Sequence, residues 1–325
     1  MMKKIKYSVI GTSWITSAFI EGAKTIEGLE LDGVYSRSKE KGEAFCAKMG
    51  AKRVFTSIEE VADSDTDFVY IASPNSCHFE QSKFLLENNK SVLCEKPITV
   101  TSEEFSKLFF LAEENNVKYC EAIMYMHAPA RYALKQAVQG IGNISSAHFD
   151  YSQLSSKYDM LLSGELPNIF NPKMQAGALN DLGIYCVYPA VDIFGVPEKI
   201  VPVQHFLHTG ADGCGSAAFV YKDKIVTIVY SKIGQSRAPS QVMGDEGTIT
   251  IGSISQTDNI YFYNTKGEET ELVHDIDKKY HMGNEAKSAY DFITDFENHQ
   301  EFYYECRRIN EKVLACMEKM RVENV

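Results

Sequence analysis

The stretch SVLCEKP, residues 91–97, decides the fold class of this chain. Four residues typical of a buried strand come first, and a carboxylate, a lysine and a proline follow them. Proline cannot continue a central strand, and it forces the residue before it, Lys96, into an extended conformation. The lysine is therefore predicted at the carboxyl end of a strand, which is where open α/β sheets bind their ligands.

The bulk properties exclude several classes of protein. A chain of 325 residues is too long for a single hydrophobic core, so its length predicts two domains. The net charge of −11 argues against nucleic-acid and anionic-membrane partners, and no apolar run approaches the roughly 18–20 residues of a membrane span. The eight scattered cysteines form no CxxC pair, and the histidines show no metal-ligand spacing. We therefore expect reduced thiols, no metal and a cytoplasmic protein.

A glycine turn follows the first predicted strand, residues 5–10, and opens a helical pattern. Strand, glycine turn and helix are the context of a dinucleotide fingerprint. The G-x-G-x-x-G pattern is degenerate, because Ser13 and Thr16 stand in the second and third glycine places. Small hydroxyl residues still allow a pyrophosphate to approach the helix N-terminus, although an ordinary βα turn is the alternative. The candidate cofactor contacts here are Gly11, Thr12, Ser13, Trp14 and Ile15.

The end of the second predicted strand, residues 29–35, favours NADP over NAD. NAD-preferring folds usually place an acid near this strand end, where it holds the ribose 2′-hydroxyl. This chain has Ser36 and Arg37 instead, with Lys41 just beyond. Arginine can bind a phosphate through two parallel hydrogen bonds. NAD remains possible, and a solvated basic loop is the alternative interpretation.

Strand and helix alternate about six times within the first ~125 residues, which predicts a doubly wound parallel sheet. The second half has short strands with hairpin connections and two closing helices, which predicts an α+β domain with a large, mostly antiparallel sheet. We therefore expect a Rossmann domain over 1–122 and an α+β substrate-binding and dimerisation domain over 123–325. The fold class is α/β.

These motifs resemble the glucose-fructose oxidoreductase / inositol dehydrogenase / rhizopine-catabolism (Gfo/Idh/MocA) family. Each motif is moderately specific, and their order and spacing together are the strong signal. The residues that carry the resemblance are the turn 11–13, the strand end 35–37, the segment 71–75 followed by His78, the segment 95–97, and the pairs 121–122 and 124–125.

The resemblance implies roles for these residues. Lys96 would lie beside the nicotinamide and the reacting oxygen of the substrate, and the Lys96–Pro97 bond would be cis. Glu95 would approach the nicotinamide side. It also implies a homodimer through the C-terminal sheet, although the terminal helices could instead cover that face. The further residues expected near the cofactor are Ala72, Pro74, Asn75 and His78.

A second chemical stretch is GALNDLGIY, residues 177–185. If it is helical, Asp181 and Tyr185 are at i and i+4 and share one face. The family commonly has three glycines before a D-x-x-x-H pattern, whereas this chain has Gln-Ala-Gly before it and Tyr185 in the histidine place. The resemblance therefore points to the tyrosine-containing branch, which includes dimeric dihydrodiol dehydrogenase. A packed core tyrosine is the alternative for Tyr185.

The favoured function is an NADP-dependent oxidoreductase that moves a hydride between the nicotinamide and a secondary alcohol or carbonyl of a sugar, polyol or dihydrodiol-like molecule. Lys96 would stabilise the developing alkoxide, Tyr185 or Lys96 would transfer the proton, and Asp181 would orient the substrate. A free tyrosine has a pKa of about 10, so it is a better proton donor than base. The alternatives are a nucleotide- or sugar-sensing regulator without turnover and, ranked last, a purely structural subunit.

Overall fold

The computed structural model describes residues 3–322, and two compact units divide the chain. The first unit comprises the chain up to Ile123 together with Asp277–Arg308. The second comprises Met124–Ile276 together with the chain from Ile309 onward. Within residues 3–322, no helix is both long enough and apolar enough to cross a membrane.

The first unit has one six-stranded parallel sheet. Its strands are β1 (Ile5–Ile10), β2 (Leu29–Tyr35), β3 (Arg53–Phe55), β4 (Phe68–Ile71), β5 (Ser91–Glu95) and β6 (Tyr119–Ala122). Its intervening helices are α1 (Trp14–Ala23), α2 (Lys39–Met49), α3 (Ile58–Ala62), α4 (His78–Glu87) and α5 (Ser102–Glu114). The strand order is β3-β2-β1-β4-β5-β6. The doubly wound prediction is confirmed, and the order reverses between β1 and β4, which is where such sheets bind dinucleotides.

Local sequence explains the central strands and the helix starts. Every residue of β4 and β5 is buried, as expected for parallel strands covered on both faces. Thr101 begins α5 with a full capping box, in which its side chain accepts from the Glu104 N–H and the Glu104 side chain returns to the Thr101 N–H. Because the strands are parallel, the turns that follow β1, β2, β4 and β5 lie at the same edge of the sheet.

A late segment of the chain completes the first unit. Helix α10 (Lys278–Thr294) packs against α1, and the two backbones are in close contact at Gly22 and Gly283. A Cβ atom on Gly22 would lie 2.6 Å from the Gly283 nitrogen, so this crossing requires glycine. The sequence predicted one boundary at residue 122 and assigned this segment to the second domain. The structure places 277–308 in the first unit instead, because α10 buries its apolar face against α1.

The second unit has one eight-stranded sheet. Its strands are β7 (Ile144–Ser152), β8 (Lys199–Phe206), β9 (Asp212–Val220), β10 (Ile225–Ser231), β11 (Ser240–Gly244), β12 (Gly247–Ser253), β13 (Asp258–Asn264) and β14 (Glu269–Val273). The strand order is β14-β13-β12-β11-β7-β10-β9-β8, and every pair is antiparallel except β7 with β10. The predicted large, mostly antiparallel sheet is confirmed. The helices are α6 (Met124–His127), α7 (Ala130–Gln139), α8 (Tyr158–Leu162) and α9 (Ile184–Phe194). The chain ends in α11 (Phe296–Met320), whose residues are divided between the two units after Arg308.

The two faces of this sheet differ in exposure. Helix α9 covers one face at β7 and β10, where the Phe149 and Phe194 rings stack. The opposite face carries exposed apolar side chains, with Val201 at 44%, Val203 at 64% and Ile225 at 49% exposure. Terminal helices could have covered these valines within one chain, but the described residues leave them open.

Candidate active site and nucleotide crevice

The turn after β1 has the geometry that a dinucleotide turn needs. Gly11 has a φ of 105°, and a Cβ atom there would lie 2.7 Å from the Ala72 carbonyl oxygen at the end of β4. Glycine is therefore required where β1 and β4 separate. Ser13 is the N-cap of α1 and makes no side-chain cap hydrogen bond, and the first turn has no acidic residue. The N–H groups of this turn are thus oriented to receive an anion, as in dinucleotide-binding folds.

The basic end of β2 is open to solvent. Ser36 Oγ donates to the Ser38 carbonyl at 2.9 Å, and Ser38 Oγ caps α2 by accepting from the Lys41 N–H. Arg37 and Lys41 are exposed, and within residues 3–322 Arg37 makes no ion pair. The strand end therefore offers an unpaired guanidinium and no carboxylate, which is the charge pattern that the NADP prediction requires.

His78 supports this edge of the sheet from inside the protein. Its Nδ1 lies 2.9 Å from the Pro97 carbonyl oxygen and its Nε2 lies 2.9 Å from the Ser73 carbonyl oxygen. The ring is buried, and burial lowers the pKa of the imidazole. His78 thus joins the turn after β4 to the turn after β5. It was predicted among the cofactor-binding residues, and its described contacts are with these two turns, whereas Pro74 and Asn75 on the same turn are partly exposed.

Lys96 lies at the carboxyl end of β5, as the sequence predicted. The Lys96–Pro97 peptide bond is cis, also as expected, and the Lys96 N–H donates to Glu95 Oε2 at 3.3 Å. Glu95 is buried and accepts a hydrogen bond from the Tyr70 hydroxyl. Burial raises the pKa of Glu95, while the Tyr70 hydrogen bond and the Lys96 charge oppose that rise. The lysine is therefore a partly exposed cation at the ligand-binding edge, next to a buried carboxyl group.

Helix α10 contributes two residues that the sequence did not predict. The Lys278 ammonium lies 4.3 Å from the centroid of the Trp14 ring, and Trp14 itself is 67% exposed. Glu285 is buried with one carboxyl oxygen lacking a hydrogen-bond partner, and burial raises its pKa well above the usual value. Nothing in the local sequence indicates these positions, because each depends on a helix that returns from the end of the chain.

In the second unit, Asp181 forms an ion pair with the buried Lys232. Lys232 is 4% exposed and its ammonium also donates to the Ile169 carbonyl at 2.7 Å. Sequence reasoning missed Lys232, which follows β10. Asp181 belongs to a π-helical turn, Leu179–Gly183, which precedes α9. The stretch is thus helical, and it begins with a wider turn than a regular α-helix, because a π turn holds more residues than an α turn.

Tyr185 and Gly177 occupy defined environments in the same unit. The Tyr185 ring meets the Tyr151 ring edge-on, with centroids 5.3 Å apart. A Cβ atom on Gly177 would lie 1.9 Å from Asp212 Oδ1, which explains why the last glycine of the motif is kept. Gln175 stands in a place where glycine is usual in the family, and it adopts a left-handed conformation with a φ of 53°. Within residues 3–322, no cluster of three metal-ligating side chains occurs.

Comparison with known proteins assigns the chain to a family. Residues 5–122 match the GFO_IDH_MocA model, described as an oxidoreductase family with an NAD-binding Rossmann fold. The chain is 38% identical over 257 residues to scyllo-inositol 2-dehydrogenase (NADP(+)) IolU of Bacillus subtilis, covering 79% of this chain and 78% of that protein. It is 26% identical to trans-1,2-dihydrobenzene-1,2-diol dehydrogenase of Xenopus laevis, covering 83% and 82% of the two chains.

Solved structures show the same fold. KijD10, a 3-ketoreductase from Actinomadura kijaniata solved with NADP and TDP-benzene, superposes with a TM-score of 0.84 at 18% identity, covering 96% of this chain and 97% of that one. The matched family model and the dehydrogenase relatives confirm the prediction of a nicotinamide-dependent oxidoreductase. The chain belongs to the Gfo/Idh/MocA oxidoreductase family.

Proposed function

We propose that this protein is an NADP-dependent dehydrogenase or reductase of a secondary alcohol or carbonyl group in a sugar, polyol or dihydrodiol-like molecule. The observation that carries the proposal is Lys96, a partly exposed cation at the carboxyl end of β5 in a sheet of dinucleotide-binding order. Support for the substrate class comes from relatives named for inositol and dihydrodiol oxidation. Support for NADP comes from the unpaired Arg37 and from the relative named for NADP(+).

The residues present fit a nicotinamide dinucleotide. Gly11 leaves room for close backbone approach, the first turn of α1 would face the pyrophosphate, and Arg37 with Lys41 would hold a 2′-phosphate. Thr12, Ser13, Trp14 and Ile15 form that turn, and Ala72, Pro74 and Asn75 form the neighbouring one. When it is bound, the nicotinamide supplies or accepts the hydride.

The chain's own residues supply charge and a proton. In the reduction direction, the Lys96 ammonium would donate a hydrogen bond to the substrate carbonyl oxygen and stabilise the negative charge that develops there. Tyr185 or Lys96 would then deliver the proton to that oxygen, and Asp181 would accept a hydrogen bond from a substrate hydroxyl. Glu95, whose buried carboxyl adjoins the Lys96 backbone, would fix the position of the lysine.

The test of this function is Lys96→Met, assayed with NADPH across a panel of keto-sugars, inosose-type ketones and diols. Loss of the cation should lower kcat at least ~100-fold, since removing one donor to a developing oxyanion has this effect in other enzymes. NADPH binding should persist, because the phosphates are held elsewhere. Turnover near that of the unmodified enzyme would refute the role of Lys96, and no hydride transfer by the unmodified enzyme with any substrate of the panel would refute the function.

We further propose that two copies pair through the open face of the second sheet. Val201, Val203 and Ile225 lie on that face and remain exposed in the single chain. Exposed apolar patches of this kind mark association surfaces, and isologous dimers are the commonest oligomers. We also propose a cytosolic location, since all eight cysteines are free.

A further inference from the structure

Helix α10 brings a lysine to the first turn of α1. Lys278 is the first residue of α10, and its N-cap Asp277 accepts from the Lys279 N–H rather than pairing with Lys278. The glycine contact between Gly22 and Gly283 fixes how closely α10 approaches α1. The position of the Lys278 ammonium over Trp14 therefore follows from the packing of the two helices.

This ammonium is available for a ligand. Within residues 3–322 it makes no ion pair, and its described partner is the Trp14 ring, 4.3 Å from Nζ to centroid. A cation–π contact at an exposed site stabilises by only about 0.5–1 kcal/mol. Such a weak contact orients the lysine and leaves its N–H groups available. The ammonium would therefore bind an arriving anion while it still contacts the ring.

Charged groups at the carboxyl end of β5 act on Lys278. Desolvation against the protein lowers its pKa and the Lys96 charge lowers it further, whereas Glu95 and Glu285 act in the opposite direction. Lys278 is thus electrostatically linked to the end of β5 and to the start of α1. Two lysines that are far apart in the sequence thus act on each other electrostatically within the first unit.

The chemistry of the ligand follows from the place. In a sheet of this order the pyrophosphate of a dinucleotide lies at the N-terminus of the first helix. Trp14 is the first residue of that helix, so an ammonium over its ring lies within reach of the pyrophosphate. The turn has one glycine where the usual fingerprint has three, and the net charge of −11 opposes an anionic ligand. A local cation offsets both features.

We propose that Lys278 binds the pyrophosphate of the dinucleotide, and that α10 is in this way part of the cofactor site. The inference rests on the proposed NAD(P)-dependent function and deepens it by naming a residue outside the glycine turn. Lys278 and Arg37 then bind different phosphate groups of the cofactor. Lys278 acts on the pyrophosphate, which NADPH and NADH share, and Arg37 acts on the 2′-phosphate, which only NADPH carries.

The experiment measures dissociation constants by calorimetry for the unmodified protein, Lys278→Met, Lys278→Arg and the matched control Lys279→Met. Lys279 is the next residue on the same turn and interacts with Asp277 and Tyr280. The ligands are NADPH, NADH, ADP-ribose and 2′-AMP, of which only 2′-AMP lacks a pyrophosphate. Melting temperatures of the ligand-free variants verify that each is folded.

Lys278→Met should raise the dissociation constants of NADPH, NADH and ADP-ribose about tenfold each, as expected for loss of one charged hydrogen bond. The dissociation constant of 2′-AMP should not change in this variant. Lys278→Arg and Lys279→Met should bind every ligand with the affinity of the unmodified protein. Unchanged ADP-ribose affinity in Lys278→Met would overturn the inference and leave the proposed function intact. Equal weakening of 2′-AMP would also overturn it, because the lysine would then serve the other phosphate. Absence of dinucleotide binding by the unmodified protein would refute both.

Discussion

At the scale of single residues, the proposed functional residues include some that the sequence identifies directly and some that it does not. Gly11, Arg37 and Lys96 each lie at a strand end, so the local pattern of strand, turn and helix was sufficient to place them. Lys278, Glu285 and Lys232 were missed, because their partners are far away in the sequence. Lys232 and Asp181, for example, are 51 residues apart and meet only after the sheet has formed.

Arg37 tests the cofactor preference. Arg37→Met should weaken the binding of NADPH by about 10- to 100-fold, because a bidentate phosphate contact is lost. The affinity for NADH should not change. Fluorescence of the single Trp14, titrated with each nucleotide, gives both constants. Lys48→Met, which removes an exposed cation from the other end of α2, is the control. Parallel weakening of both nucleotides in Arg37→Met would contradict a role at the 2′-phosphate.

Glu285 makes the stability of the protein depend on pH. Its pKa is raised by burial, and Glu95, Cys120 and Glu121 add to that effect while Lys278 opposes it. The folded state therefore binds this proton more tightly than the unfolded state does. The resulting stabilisation is complete below the unfolded pKa of about 4.3 and is lost as pH rises through the native pKa.

Glu285→Gln should remove this dependence. Between the two pKa values the unmodified protein loses up to about 1.4 kcal/mol of unfolding free energy per pH unit from this group, and the variant loses none of it. Melting temperatures from pH 5 to 9 should show a difference, variant minus unmodified, that grows with pH. The exposed Glu297→Gln should show no such trend. A difference independent of pH would mean that Glu285 is ionised in the folded protein throughout.

At the scale of elements, an ion pair fastens the π-helical turn Leu179–Gly183 to the end of β10. Lys232 is buried, pairs with Asp181 and also donates to the Ile169 carbonyl. A buried charge left without its partner is strongly destabilising, whereas loss of both partners costs less. Widened turns of this kind are frequent at functional sites. We therefore expect Lys232 to position Asp181 for its proposed contact with substrate.

A double-mutant cycle measures this coupling. Lys232→Met should lower the unfolding free energy by about 3–5 kcal/mol. Adding Asp181→Asn to that variant should recover about 1–3 kcal/mol of the loss, because the isolated carboxylate is gone. Urea unfolding of the two single variants and the double variant gives the values, and Lys107→Met, which disrupts an exposed pair with Glu103, is the control. Strict additivity would show that the two side chains do not interact.

The sequence predicts whether a segment forms a helix or a strand better than it predicts the unit to which that segment belongs. Alternating and buried apolar runs identified β1 through β6 and the antiparallel texture of the second sheet, because periodicity is a local property. The π-helical turn was expected as a regular helix, since nothing in residues 177–185 distinguishes the two. Helix α10 was expected within the second domain, because a sequence gives no indication that a chain returns to a unit it has left.

At the scale of the whole molecule, the open sheet face is the surface through which we propose that two copies pair. Val203→Asp should convert a dimer into a monomer in light scattering after gel filtration, because a charge would have to be buried at the proposed interface. Val196→Asp, at a similarly exposed valine in the loop before β8, should leave the mass unchanged. A monomeric unmodified protein would disprove pairing through this face, and so would a dimer that persists in Val203→Asp.

The contact of α10 with α1 has a consequence for biosynthesis. Most N-terminal domains fold while the remainder of the chain is still being translated. Here α10, the helix that carries Lys278, is the last but one in the chain, so the ribosome has translated most of the message before the six-stranded unit receives α10. A nascent chain halted after Ile123 would expose the α1 surface that meets Gly283, and chaperones would encounter this surface until translation is almost finished.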